Sequence, residues 1–363
     1  MQIQRVLTRR HDPLVCRIDT ATLDVPLGAG QAVLAVRRVA ITTNNITYAL
    51  FGDAMHYWQF FPSGDSDWGI VPVWGFADVA RSNVAGLEVG ERVYGYMPLA
   101  DHCLLTPGDL SRRGFVDAAA HRAGLPAVYN RYERCAADPA YRVEDEDALM
   151  LMRPLFTTAY LLADFLQEQG FFGARQVVLS SASSKTAYGT AFCLREQPGI
   201  DVVGLTSAAN AAFVRRIGCY HRVLAYDEVE SLDPSVPTVY ADFSGSSEQR
   251  ARLHGHFGDA LRHSAVIGAT QFSAGPRDAR LPGAKPTFFF APDQVRRRIE
   301  AWGPAAFQQR LADSQQRFLK QALNPAQPWM RIVEHRGLPA AIELVATMAR
   351  GTVDPALGHV LAV

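Results

Sequence analysis

Residues 174–192 read ARQVVLSSASSKTAYGTAF. An apolar strand ends at Ser180, a turn of small hydroxyl residues follows, and a helix begins about Lys185. In a parallel sheet, the carboxyl end of a first strand leading into a helix N-terminus presents free backbone N–H groups, which is where a pyrophosphate binds. Glycines usually build this turn as G-x-G-x-x-G, for tight turning and close backbone approach. Here Ser181, Ala182, Ser183, Ser184 and Ala187 supply smallness with almost no glycine. Lys185 offers a cation to a phosphate, and Ser183, Ser184 and Thr186 offer hydroxyls. The same residues also read as a solvated lysine beside an ordinary serine-rich cap.

Downstream, short β-branched runs alternate with helical segments: DVVGLTS at 201–207, RVLAY at 222–226, TVYADFS at 238–244 and SAVIGATQF at 264–272, separated by NAAFVRRIG and RARLHGHFG. Buried runs in alternation with helices predict a doubly wound parallel sheet covered on both faces. The second strand ends in Thr206 and Ser207, followed by Asn210, Arg215 and Arg216. An acidic residue at that strand end would hold a ribose diol and reject a 2′-phosphate. With none there, and with Arg215 near, the pattern favours NADPH over NADH, although the arginine pair also reads as a solvated helix face. A long apolar strand such as 264–272, left open at a sheet edge, invites pairing with a second copy, so a homodimer is expected.

Upstream, AVLAVRRVAIT, WGFADVARS, ERVYGYMPL and DHCLLTP are short apolar runs broken by Gly, Pro and Asn, the spacing of a compact barrel. Residues 111–147 fit neither a strand repeat nor a clean amphipathic helix and read as an insert. RPLFTTAYLLADFLQEQG then has helical spacing with Gly170 as its stop, a bridge between domains. Two helical stretches at 293–323 and 338–349 and an apolar GHVLAV end the chain, and the last strand is expected to return to the first domain. The predicted domains are 1–153 with 290–363, and 154–289.

The chain has 363 residues, enough for two cores, and its 36 basic residues balance 36 acidic ones. No net field draws nucleic acid, and no continuous apolar run reaches a membrane span, so a cytoplasmic protein acting on a small molecule is expected. Five scattered cysteines show neither C-x-x-C pairs nor metal-ligand spacing. His56, His102 and His121 read as surface or capping residues. No Ser-His-Asp pattern with a nucleophile elbow supports hydrolysis.

The order of these parts, with TTAYLLADFL, VRRIGCYHRVLAY, DFSG and ARGTVDPALGHVLAV, resembles the quinone- and enoyl-reductase branch of the medium-chain dehydrogenase/reductases. NNITYALFGD, VPVWGFADV, HRAGLPAVYNRY and SSASSKTAYG are similar, more narrowly, to the DUF2855 proteins. The resemblance implies an α/β chain, a GroES-like β-barrel-type domain plus a Rossmann domain, working with NADP(H). It places Thr158 near the nicotinamide, Thr270 and Phe272 where the chain passes the cofactor's other side, and Tyr226 and Gly245 at loops that line the nucleotide, beside Ser181 and Ser207, which the strand ends themselves nominate. Zinc-using relatives carry a cysteine and a Gly-His-Glu where this chain has NNITYALFG and WGFADV, so the resemblance implies no metal. It also implies that Tyr57, five residues after Gly52, delivers a proton while Asn44 and Tyr48 hold the substrate oxygen, although HYWQFF also reads as aromatic packing. Two other readings stand beside the reductase: a non-redox enzyme binding coenzyme A or another acyl- or phosphate-bearing ligand, and a non-catalytic binding protein on the same fold.

Overall fold

The computed structural model describes residues 1–24, 26–138, 141–267, 281–351 and 353–363. It divides into two compact units, one built from Met1–Leu151 with Ile332–Val363 and the other from Met152–Arg331.

The first unit is antiparallel. Its central strand Ala32–Ile41 pairs with Pro72–Ser82, His102–Leu105 and the terminal Leu357–Ala362. Pro72–Ser82 continues to Arg92–Pro98, that strand to Arg131–Arg134, and Arg131–Arg134 in turn to Gly114–Asp117. The insert is therefore part of the sheet. Its Arg- and Tyr-rich run hid this, because strands of four residues are too short to display a period of two. Helix Leu338–Arg350 packs Leu338, Ala341, Leu344 and Met348 into the same core.

Among the described residues, the second unit holds six parallel strands. In chain order they are Gln176–Leu179, Asp201–Thr206, Arg222–Ala225, Thr238–Asp242, Leu261–Val266 and Pro286–Phe288, and their spatial order is 3-2-1-4-5-6. This is the doubly wound nucleotide-binding arrangement, whose strand order reverses between the first and fourth strands. Val177, Val178, Leu179, Val202, Val203 and Leu205 are fully buried, as two covered sheet faces require.

Helix Glu146–Glu168 begins in the first unit and ends in the second. At its start Glu146 takes hydrogen bonds from Arg92, and Asp147 pairs with Arg38 at 2.7 Å. Pro154 sits inside the helix, and the Thr157 and Thr158 hydroxyls turn back onto the carbonyls of Arg153 and Pro154.

Three expectations are corrected. Residues 293–323 were expected with the first domain, but helices Ala291–Trp302 and Pro304–Ala322, split at Gly303, belong to the second unit. Arg298 pairs with Asp164 and Glu168, and Phe318 packs on Phe156 at 4.7 Å, and neither long-range contact leaves a local signature. The strand opening SAVIGATQF is not an edge, because Pro286–Phe288 pairs alongside it. Finally, Val143–Glu168 is long and apolar enough to cross a membrane by length and composition. Counting only continuous apolar runs missed it. Half of its most apolar window is buried in the fold, and Phe156, Ala159, Leu161, Leu162 and Leu166 are fully covered.

Candidate functional site

The turn after Leu179 lies at the strand-order reversal, where the first and fourth strands run side by side. Ser181 makes the bend at φ 47°, a left-handed conformation that costs a residue with a Cβ about 1–2 kcal/mol and that glycine adopts freely. Side-chain bonds hold it there. The Ser181 N–H donates to the Tyr226 hydroxyl at 2.8 Å, the Ala182 N–H to the Leu205 carbonyl, and the Tyr220 hydroxyl to the Ala182 carbonyl. Gly204 allows this packing, since a Cβ there would stand 2.9 Å from that of Ala182. Ser184 caps helix Lys185–Leu194 by accepting from the Ala187 N–H. Among the described residues, the N–H groups of Ser183 and Thr186 make no hydrogen bond.

Sequence reading missed the buried carboxylate behind this turn. Asp242, at the end of the fourth strand, is fully buried; one of its oxygens accepts from the Ser180 and Ser244 hydroxyls and from the N–H groups of Ser244 and Gly245. The other oxygen takes two bonds from Arg250, at 3.0 and 2.7 Å. The Ser180 hydroxyl also accepts from the N–H groups of Phe243 and Ser244. A carboxylate thus does by side-chain bonding what a glycine-rich turn does by conformational freedom, and it sets Gly245 in its left-handed bend at φ 68°.

The other nominated positions divide. Ser207 caps helix Ala208–Ile217 at the carboxyl edge of the sheet, and Asn210 donates to the Ser183 hydroxyl at 3.1 Å. Ser181, Ser183, Ser184, Lys185, Thr186, Asn210, Tyr226 and Gly245 therefore surround one strand edge. Arg215 does not join them: it is exposed in the last turn of that helix, eight residues past Ser207, and at 1.5 Å per residue it stands about 12 Å from the strand end. Thr158 spends its hydroxyl on its own helix. Thr270 and Phe272 lie outside the described residues.

In the first unit, helix Thr43–Leu50 places Asn44 and Tyr48 one turn apart, so the Asn44 amide donates to the Tyr48 hydroxyl at 2.7 Å. Trp74 donates to the same oxygen at 3.2 Å. Tyr57 opens a short 3₁₀ turn entered through His56 at φ 61°, and its ring lies 4.6 Å from that of Tyr48. The Tyr57 hydroxyl meets that of Tyr129 at 3.2 Å. Tyr129, carried by the insert, also packs on Tyr96 and Phe60. Trp58 from the same aromatic run is packing: it is clasped between Gly52 and Gly69, where a Cβ would approach the indole to 2.0 and 2.3 Å. Burial pushes the Tyr57 phenol above its ordinary value, and the Tyr129 hydrogen bond partly opposes this. Burial, then the neighbouring Tyr57, push Tyr48 up as well. Both phenols are therefore protonated at neutral pH. Among the described residues, no three His, Cys, Asp or Glu side chains converge as a metal site.

In comparisons with known proteins, no curated sequence matches this chain. The fold is similar to that of CurA from Vibrio vulnificus solved with NADPH, at 14% identity over 99% of this chain and 98% of that one, with a TM-score of 0.63. It is similar to a quinone oxidoreductase from Pseudomonas syringae pv. Tomato DC3000, at 15% identity over 99% and 100%, with a TM-score of 0.61. The yhdH oxidoreductase from Salmonella enterica, solved with NADP, matches at 15% identity over the whole of both chains, with a TM-score of 0.56. At these identities the likeness is one of fold. The family model for the proteins of unknown function DUF2855 matches residues 39–354, so this chain belongs to the DUF2855 family.

Proposed function

We propose that this chain is a zinc-independent reductase that uses NADPH to reduce a small, apolar unsaturated carbonyl, quinone or ketone. The observation that carries the reading is the turn at residues 180–186: a left-handed bend at the strand-order reversal, two unbonded N–H groups and a lysine opening a helix. Such an end favours a phosphate through its N–H groups and the helix dipole. The residues fit a dinucleotide, with Ser183, Ser184, Lys185 and Thr186 toward a phosphate and the carboxylate-free end of the second strand toward a 2′-phosphate. CurA and yhdH, solved with NADPH and NADP, support the same cofactor. NADPH, when bound, supplies the hydride. The protein's part is to orient the substrate oxygen with Asn44 and Tyr48, and to deliver a proton from the Tyr57 hydroxyl, which burial keeps protonated.

Calorimetry tests the nucleotide site. NADPH should bind more tightly than NADH, and Lys185→Ala should weaken it by about 1.5–3 kcal/mol, the loss of one charge-assisted hydrogen bond. Equal affinities for the two cofactors, an unaffected variant, or binding of coenzyme A in place of NADPH would each defeat the reading.

A cytoplasmic homodimer is part of this proposal, with its sheet edge relocated to Pro286–Phe288. Phe288 there is 57% exposed, and an edge strand with an exposed aromatic residue is a template for pairing. Light scattering at micromolar concentration should give twice the chain mass, and Phe288→Lys should give a monomer. A wild-type monomer counts against it.

A further inference from the structure

Two hydroxyls of the tyrosine cluster meet each other. The Tyr48 oxygen accepts from the Asn44 amide at 2.7 Å and from the Trp74 indole at 3.2 Å, which fills both acceptor positions of a phenol oxygen. The Tyr129 ring meets that of Tyr48 edge to face at 6.2 Å, and its hydroxyl meets that of Tyr57 at 3.2 Å, where either can donate. Once Tyr57 has lost its proton its oxygen can only accept, and Tyr129 is then the donor.

The insert is built to hold Tyr129 in this place. Arg122 and Asp117 form an ion pair at 2.8 Å with both side chains 1% exposed. Arg122 also donates to the Tyr129 carbonyl and the Asn130 amide oxygen, and its guanidinium lies over the Phe61 ring at 4.6 Å. The Asp117 N–H donates to the Asn130 carbonyl at 2.8 Å. A buried charge pair left without one partner is strongly unfavourable, so this segment has one well-defined position.

We propose that Tyr129 is a positioning residue for Tyr57: held in place by the Arg122–Asp117 pair, its hydroxyl, 3.2 Å from that of Tyr57, donates to the phenolate left behind when the Tyr57 proton departs. The proposal rests on the reading of Tyr57 as the acid. In the step concerned, the Tyr57 O–H bond breaks, the proton bonds to the substrate as hydride arrives from NADPH, and the electron pair stays on the Tyr57 oxygen under the Tyr129 hydrogen bond until water restores the proton. Donation to the charged form stabilises it, so Tyr129 makes Tyr57 a stronger acid than burial alone would leave it.

The test uses the unliganded protein carrying 3-fluorotyrosine, with the Tyr57 fluorine resonance assigned through Tyr57→Phe and followed against pH. The groups facing Tyr57 are the phenols of Tyr48, Tyr96 and Tyr129, with Arg122 acting on Tyr96. Tyr129→Phe should move the Tyr57 titration upward by about one pH unit, a tenfold loss of acidity. Tyr96→Phe removes a buried hydroxyl of the same cluster that has no hydrogen-bond partner, and should leave the titration in place. With NADPH and 2-cyclohexen-1-one as probe, Tyr57→Phe/Tyr129→Phe should be no slower than Tyr57→Phe alone, since the second hydroxyl acts through the first. An unmoved titration in Tyr129→Phe, or equal shifts in the Tyr129 and Tyr96 variants, overturns the positioning role while the acid stands. Normal turnover of Tyr57→Phe overturns the acid itself.

Discussion

Tyr57→Phe is expected to lower turnover by roughly 10²–10⁴-fold while leaving NADPH affinity nearly unchanged, the usual weight of a general acid. The substitution removes one oxygen and keeps the ring, so its contacts with Tyr48 at 4.6 Å and Phe60 at 6.4 Å survive. Tyr57 is 6% exposed, and the Phe ring fills the same space. The variant gives up the 3.2 Å hydrogen bond to Tyr129, at a cost of about 1–3 kcal/mol. A thermal melt should therefore fall modestly and show a folded protein at the assay temperature, where loss of stability does not account for the loss of turnover. Affinity should hold because the turn proposed to bind phosphate, residues 180–186, lies on other strands and helices. Stopped-flow reduction of a panel of enones and quinones, with cofactor affinity measured separately, checks both halves. A variant that turns over normally on every substrate the wild type reduces would retire Tyr57 as the acid and make the aromatic run purely structural.

Asp242→Ala should destabilise the second unit by about 3–5 kcal/mol, the cost of removing one member of a buried, hydrogen-bonded charge pair. Ala leaves the Ser180 and Ser244 hydroxyls, the Gly245 N–H and Arg250 without their acceptor at the buried Asp242 position, while the Ser244 N–H keeps its bond to the Ser180 hydroxyl. Asp242→Asn is a finer probe. An amide oxygen can replace the carboxylate oxygen that takes the four serine and backbone bonds, but its NH₂ would face the Arg250 donors. It should cost less than Ala, with the loss concentrated at Arg250. Urea denaturation followed by the fluorescence of Trp302 and Trp329, both in the second unit, reads these differences. An Asp242→Ala variant within about 1 kcal/mol of wild type, an ordinary cost for a typical substitution, would remove the claim that this carboxylate organises the turn.

The two residues behind these effects were not equally visible. Tyr57 was nominated from its place after Gly52, whereas Asp242 stood in TVYADFS as one acid ending one strand, with nothing nearby to suggest burial. Its partners come from three segments: Ser180 is 62 residues away, Arg250 eight, and Ser244 two. Tyr129 was hidden more deeply. It lies in a segment without periodicity and meets Tyr57 across 72 residues. Arg215 shows the converse: it is close to Ser207 in sequence, and the helical rise carries its backbone about 12 Å from the strand end.

The sequence by itself determined the parallel, doubly wound second unit, the strand–turn–helix at residues 176–194 and the antiparallel barrel-like start. Those features are written in local periodicity: a strand covered on both faces must be apolar throughout, and a helix repeats its apolar side every three to four residues. Only the tertiary structure decided that helices Ala291–Trp302 and Pro304–Ala322 belong to the second unit, that Pro286–Phe288 pairs beside Leu261–Val266 as the outermost strand among the described residues, and that Asp242 and Tyr129 stand where they do. Each of these depends on which distant surfaces bury one another. Burial rewards any apolar partner of the right size, so the choice among partners is made by the whole packed chain and leaves no mark on the residues nearby.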